Sequence, residues 1–339
     1  MKFVYHPRSL EHVQGAGHPE RPDRVQAIVE RLRAQEPEAA FLEPPSATKR
    51  ELVRVHDEAF VERIRHGVAG ALDGDTFLHP GTYAVAAISA GAALTAVRHA
   101  LAHQEEAFAL TRPPGHHAGT ASAGGFCYFN NVAVAADHII REAGLAPVAI
   151  IDLDVHHGNG TQDIFGARRD VVYLSAHQEG IYPGTGAVGD TGRGPGEGRM
   201  VNIPLPAGSG DATYASAWER VMLPVLEAAR PAAVLVSLGF DAHYRDPLAS
   251  LTLSSAGYVR LCAAVASFAR ERAKAPCVFA LEGGYDLDAL ADGVGGLARA
   301  LRGEAPATQL NAVQDTGGVG ARAVAEAARV QARHWGIEP

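Results

Sequence analysis

The chain has 339 residues, 47% of them hydrophobic and 20% charged, which supplies a large core and excludes a largely disordered protein. Its 30 Lys and Arg against 38 Asp and Glu leave a formal net charge of −8, the wrong sign for gripping nucleic-acid phosphates. No apolar run reaches the ~18 residues of a membrane span, and the N-terminus lacks the apolar core of a signal peptide. Three scattered cysteines (Cys127, Cys262, Cys277) form neither a disulfide framework nor a cysteine zinc site, so a cytoplasmic location is expected.

In chain order, Thr48 and Glu51 fit a capping box ahead of a helical stretch. Amphipathic segments predict helices over 82–103, 130–143, 211–229, 254–272 and 286–302. Between them lie short apolar runs at 107–111, 147–153, 171–175, 232–238 and 277–281. Runs apolar on both faces and separated by helices predict an α/β domain whose parallel sheet is covered on both sides. The glycine-rich stretch 184–198 reads as a long surface loop within that domain. The tail from 303 opens with small and polar residues and closes on a helical segment over 322–333. The expected division is therefore a catalytic domain over 1–302 and a helical C-terminal appendage over 303–339.

Each apolar run ends in a cluster of glycine, proline or polar residues, and ligands bind beyond the carboxyl ends of parallel strands. Of 16 histidines, six (His116, His117, His156, His157, His177 and His243) fall just past these runs. Alternation along a strand can bring Asp152, Asp154 and His156 together, with Asp241 arriving from another strand end. Oxygen and nitrogen donors in this pattern suit a catalytic zinc with an open position; the alternative is that they cap strand ends and hold loops. His116 and His117 follow the tight Pro113-Pro114-Gly115 turn. They read as a general base beside an activated water, or as a structural pair. Tyr285, after Glu282-Gly283-Gly284, is either a donor to a developing oxyanion or a packed aromatic.

Together these segments resemble the zinc-dependent histone deacetylase superfamily, which includes bacterial histone-deacetylase-like amidohydrolases and acetylpolyamine amidohydrolases. The resemblance rests on Pro113-Pro114-Gly115-His116-His117, on the run from Gly124 through Phe126, Cys127, Tyr128 and Phe129 to Asn131, and on Asp152-Leu153-Asp154-Val155-His156-His157-Gly158-Asn159-Gly160. Gly239-Phe240-Asp241 and Glu282-Gly283-Gly284-Tyr285 complete it. It covers residues 1–302 and implies the arginase-deacetylase fold, a single α/β domain around an eight-stranded parallel sheet. By this resemblance Asp154, His156 and Asp241 hold zinc, and His117 is the general base and later proton donor, with His116 mainly electrostatic. Asp152 orients His116, Asn159 orients His117, and Tyr285 stabilises the oxyanion. Asp152 and Ser175, with carbonyls near Asp154, His156 and Ala176, match the family's potassium site. The neutral Asn159 resembles class II-like members and implies a less basic His117 than an Asp would give.

For substrate, Gly125, Phe126 and Tyr182 match the family's acyl-lysine channel, and Asp75 matches a rim residue that holds substrate backbone. Leu248 stands at the channel mouth where polyamine-selective relatives carry Glu, which argues against that route to a cationic substrate. The segment 56–82 is too short for the insertion of some acetylpolyamine hydrolases, and His18-Pro19-Glu20-Arg21-Pro22 belongs to the shorter loop type. The expected activity is hydrolysis of acetyl-lysine or a related acylamine to acetate and free amine, with acetylpolyamine hydrolysis as the alternative. A manganese ureohydrolase or a non-catalytic acyl-lysine binder fits less well: the former lacks its extra Asp ligands here, and the latter has no use for Tyr285. The sequence sets no oligomeric state and offers neither a nucleic-acid nor a membrane partner.

Overall fold

A computed structural model describes residues 1–35, 41–304 and 318–339, so the first part of the predicted appendage, 305–317, lies outside the described residues. The strands in chain order are β1 (Lys2–Val4), β2 (Gly70–Ala71), β3 (Phe77–Leu78), β4 (Ala107–Ala109), β5 (Val148–Asp152), β6 (Val171–Gln178), β7 (Met200–Leu205), β8 (Ala233–Leu238) and β9 (Cys277–Leu281). Seven of them form one sheet in the order β1-β4-β9-β8-β5-β6-β7, with every pairing parallel; β2 and β3 make a separate antiparallel hairpin. The expectation of eight strands is thus corrected to seven among the described residues.

The central strands are buried along their whole length, as their unbroken apolar runs require. Alternate side chains feed two cores. Ile151, Leu174, Val236 and Phe279 enter one, and Ile150, Tyr173, Leu235 and Val278 enter the other.

Helices cover both faces. In chain order they are α1 (Asp23–Gln35), α2 (Lys49–Leu52), α3 (Glu58–His66), α4 (Thr82–His103), α5 (Asn131–Glu142), α6 (Asn159–Phe165), α7 (Asp211–Ala217), α8 (Leu223–Ala229), α9 (Ser255–Ser267), α10 (Leu287–Leu301) and α11 (Ala321–Trp335). α1, α9 and α10 pack on one side, while α4 and α5 line the other. The capping box forms at α2: the Glu51 amide donates to Thr48 Oγ1 at 3.3 Å and the Thr48 amide to Glu51 Oε2 at 2.7 Å.

α4 has the length and hydropathy of a membrane span, but 72% of its most apolar window is buried inside the protein. Its small residues let other backbone come close: a Cβ on Gly91 would sit 1.9 Å from the Pro45 carbonyl oxygen. The helix expected over 211–229 is divided instead into α7, a π-helical turn at Trp218–Met222, and α8. Pro224 supplies the reason, since it has no N–H to continue the regular ladder.

At the C-terminus, Val324, Ala327 and Ala328 of α11 join the core beside β7. The Trp335 indole donates to the Gly198 carbonyl at 2.8 Å, so α11 closes over the end of the glycine-rich loop.

Candidate active site

The carboxyl ends of β4, β5, β8 and β9 all deliver polar residues to one side of the sheet. β5 ends at Asp152, in register with Ser175 of β6 and Ser237 of β8. The chain then turns off the sheet, with the Leu153 amide donating to the Ser237 carbonyl at 2.8 Å. Two residues on, Asp154 Oδ1 and His156 Nδ1 lie 3.1 Å apart. Asp241, just past β8, sets its Oδ2 3.2 Å from the same nitrogen. One ligand atom from each of Asp154, His156 and Asp241 lies within 4.8 Å of the others. Asp152 stands apart from this trio and lies beneath His116.

The trio fits a divalent cation. Asp241 Oδ1 accepts the Val155 N–H at 2.9 Å, while the buried Oδ2 faces His156 Nδ1 at 3.2 Å. Asp154 Oδ2 accepts the Gly283 N–H at 2.7 Å. Burial disfavours a charged His156, yet hydrogen bonds to Asp154 and Asp241 and their negative charge raise its pKa to about 10. The same field attracts a metal ion placed among the three. Gly283 is required here, because a Cβ at that position would lie 2.1 Å from Asp241 Oδ2.

The histidine pair occupies a turn after β4, with ring centroids 4.0 Å apart. Glu282 holds that turn by accepting the amides of Gly115 at 2.6 Å and His116 at 3.2 Å. His116 Nδ1 meets Asp152 Oδ2 at 3.0 Å, and that oxygen also accepts the Tyr173 hydroxyl at 2.9 Å. Burial opposes protonation of His116, but the charges of Asp152 and Asp154 outweigh it and raise the pKa to about 10. His117 Nδ1 lies 2.7 Å from Asn159 Oδ1. An amide oxygen only accepts, so Nδ1 carries the hydrogen and Nε2 keeps its lone pair. Burial, then the positive charge of His116 and His156, holds His117 well below its ordinary pKa.

Ser175 bonds to His177 Nδ1 at 2.8 Å, and His177 Nε2 faces the Gly186 carbonyl at 3.0 Å. A carbonyl only accepts, so the His177 hydrogen sits on Nε2 and the Ser175 hydroxyl donates to Nδ1.

A cavity of about 370 Å³ opens over Asp154 and His156, with Asp241 buried beside them. His116, His117, Tyr285, Gly125, Phe126, Tyr182, Leu248 and Asp75 all line it; Asp152, Asn159 and Ser175 lie behind its wall. The walls are largely aromatic. Tyr182 meets His117 edge-on at 5.0 Å, and Phe126 meets Tyr285 edge-on at 6.0 Å. Phe126 adopts φ +68°, unusual for a bulky residue. The β2–β3 hairpin braces it: Thr76 Oγ1 accepts the Phe126 amide at 2.8 Å and Asp73 Oδ2 accepts the Gly125 amide at 3.1 Å. Leu248 and Tyr182 are about two-fifths exposed at the mouth.

Several contributors escaped sequence reading. His18 and Pro19 line the cavity, and His18 packs edge-on against Phe126 at 4.6 Å. The buried Arg24 donates to the Gly284 carbonyl at 2.6 Å, with its guanidinium 4.9 Å from the Tyr285 ring centre. Arg24 and Arg112 share the buried carboxylate of Glu20. Charged residues within the apolar patterns around 20–24 were the available signal, since a buried charge needs a partner.

A parallel α/β sheet that gathers a candidate carboxylate–imidazole–carboxylate metal trio, a histidine pair and a tyrosine at one cavity is an arrangement suited to hydrolysis of an amide. The histone deacetylase domain model matches residues 18–301. Histone deacetylase 14, chloroplastic, of Arabidopsis thaliana is 41% identical over 85% of this chain and 73% of its own length. A histone deacetylase-like amidohydrolase of Pseudomonas aeruginosa is 39% identical over 80% of this chain and 73% of its own. The crystal structure of the HDA15 HD domain superposes with a TM-score of 0.89 at 34% identity, covering 99% of this chain and 95% of that one. The chain belongs to the histone deacetylase family, a family of deacetylases and amidohydrolases.

Proposed function

We propose that the protein is a zinc-dependent deacylase that hydrolyses acetyl-lysine or a related acylamine, with residues 1–302 as the catalytic unit and 303–339 as an appendage. The observation that carries this reading is the union, in one cavity, of Asp154 and His156 with His117 and Tyr285, and the clustering of Asp241 with the first two as a candidate metal trio. Asp154, His156 and Asp241 would hold the zinc, which when bound polarises the acyl oxygen and acidifies water. His117, neutral with its Nε2 lone pair free, takes the proton from the attacking water and returns it to the departing amine. Asn159 fixes the His117 tautomer; His116, kept cationic over Asp152, supplies positive charge as the oxyanion develops. Tyr285 donates its hydroxyl to that oxyanion. Asp152 and Ser175 would hold potassium beneath the site.

Gly125, Phe126 and Tyr182 form the channel for the acyl-lysine stem, and Asp75 is a rim acceptor for substrate backbone N–H. The apolar Leu248 at the mouth favours a peptide over a free polyamine. Three buried, unpaired cysteines suit a reducing compartment such as the cytoplasm, while two plant relatives are named chloroplastic.

The test compares steady-state kcat/KM on an acetyl-lysine peptide, N-acetylputrescine and acetylspermidine for the native chain and for Tyr285→Phe. The expected result is peptide preference and a loss of about 10²–10³ in kcat on removing the hydroxyl. A marked polyamine preference would transfer the function to acetylpolyamine hydrolysis. Turnover unchanged in Tyr285→Phe would overturn the mechanism.

A further inference from the structure

Two loops meet at the cavity. The one after β8 carries Leu248 to the mouth, and the one after β9 carries Tyr285 to the inner wall. Asp246, a residue only 7% exposed, lies between them. Its Oδ1 accepts the Leu248 N–H at 2.9 Å, and its Oδ2 accepts the Tyr285 N–H at 2.7 Å. Opposite, Arg24 grips the carbonyls of Glu282 and Gly284. Gly284, at φ +107°, gives the turn a swivel just before the tyrosine. Arg245 also bridges the loops to Asp286 and Asp288 at 3.1 and 3.0 Å, but it is exposed, and such pairs fix little.

We propose that Asp246 is a positioning residue that holds Tyr285 in its working orientation and ties that orientation to the mouth at Leu248. The inference rests on the deacylase reading, in which the Tyr285 hydroxyl acts on the oxyanion. A carboxylate offers two acceptor oxygens, one for each N–H. Asn at 246 keeps one acceptor and turns an NH₂ toward the second N–H; Ala removes both. The consequence falls on the transition state rather than on substrate binding, because the tyrosine matters most as charge develops.

The experiment is a double-mutant cycle on the zinc-loaded full chain with an acetyl-lysine peptide: native, Asp246→Asn, Tyr285→Phe and the pair, with Asp246→Ala as a second series. Thermal melts and bound zinc are measured on every variant. Asp246→Asn is expected to lower kcat about 10-fold and Asp246→Ala about 10- to 100-fold, with KM within about threefold. In the Tyr285→Phe background the same changes are expected to cost less than about twofold, since the group they position is gone. If Asp246→Ala fails to fold, the Asp246→Asn cycle decides. Equal losses with and without the tyrosine hydroxyl, or an effect confined to KM, would overturn the inference while leaving the deacylase reading intact. A native chain that leaves the amide uncut would overturn both.

Discussion

His116 and His117 are neighbours with opposite proton affinities, and the cause is what each Nδ1 meets. His116 meets the Asp152 carboxylate and is held cationic, whereas His117 meets the neutral Asn159 amide and is held neutral by burial and by the cations beside it. The sign of a charge change at 159 follows. Asp in place of Asn159 would favour the imidazolium, raise the His117 pKa and move the acid limb of kcat/KM to higher pH, by on the order of one unit. The pH profile of Asn159→Asp measures this directly; an unmoved or lowered limb would exclude His117 as the group that must be neutral. At this scale the sequence was legible where spacing met a strand end. Alternation after β5 pointed Asp152, Asp154 and His156 to one place. It did not separate Asp152, which lies under His116, from Asp154, which joins Asp241 and His156. Asp246 and Asp73 were illegible, because their carboxylates act on backbone amides distant in sequence.

Among the elements, the apolar runs at 147–153, 171–175, 232–238 and 277–281 match β5, β6, β8 and β9, and the run at 107–111 contains the shorter β4. The edges were missed. β1 is only three residues long, and β7 carries Pro204, which breaks a strand pattern and is tolerated at an edge. The central strands carry the site on their ends, so their packing sets its geometry. Phe279 of β9 is fully buried and stacks on Phe108 of β4 with ring centres 5.9 Å apart. Truncating Phe279 to Ala is expected to cost about 3–5 kcal/mol in urea unfolding, from lost burial and the cavity left behind. A loss under about 1 kcal/mol would mean that the strand can collapse around the gap. The π turn at Trp218–Met222 shows the opposite limit: helical periodicity located the segment but not the local widening before Pro224.

The whole molecule is built around buried histidines. His12 and His56 are each pushed down to about 4 by burial, and His177 to about 3, again chiefly by burial. In the unfolded chain these groups titrate near 6.5, so between about pH 6.5 and 4 the unfolded state binds more protons. Stability from these groups is therefore full above pH 6.5 and lost as the pH falls to about 4, by on the order of several kcal/mol together. Urea unfolding at pH 7.5, 6, 5 and 4.5 reads this out; stability flat across that window would contradict the neutral, buried state of the three rings. Family membership was legible from motif order alone. Substrate was not, because the cavity is lined by single residues such as Leu248, Tyr182 and Asp75, which stand in no local pattern.

If the proposed function holds, amide hydrolysis depends on a metal ion held by Asp154, His156 and Asp241. The most direct measurement strips the protein by chelation and dialysis, then follows acetate release from an acetyl-lysine peptide as zinc is returned. Expected are negligible release from the stripped chain, recovery to a plateau at about one zinc per chain, and loss of zinc retention in Asp241→Ala. Full turnover by the stripped protein would contradict that dependence.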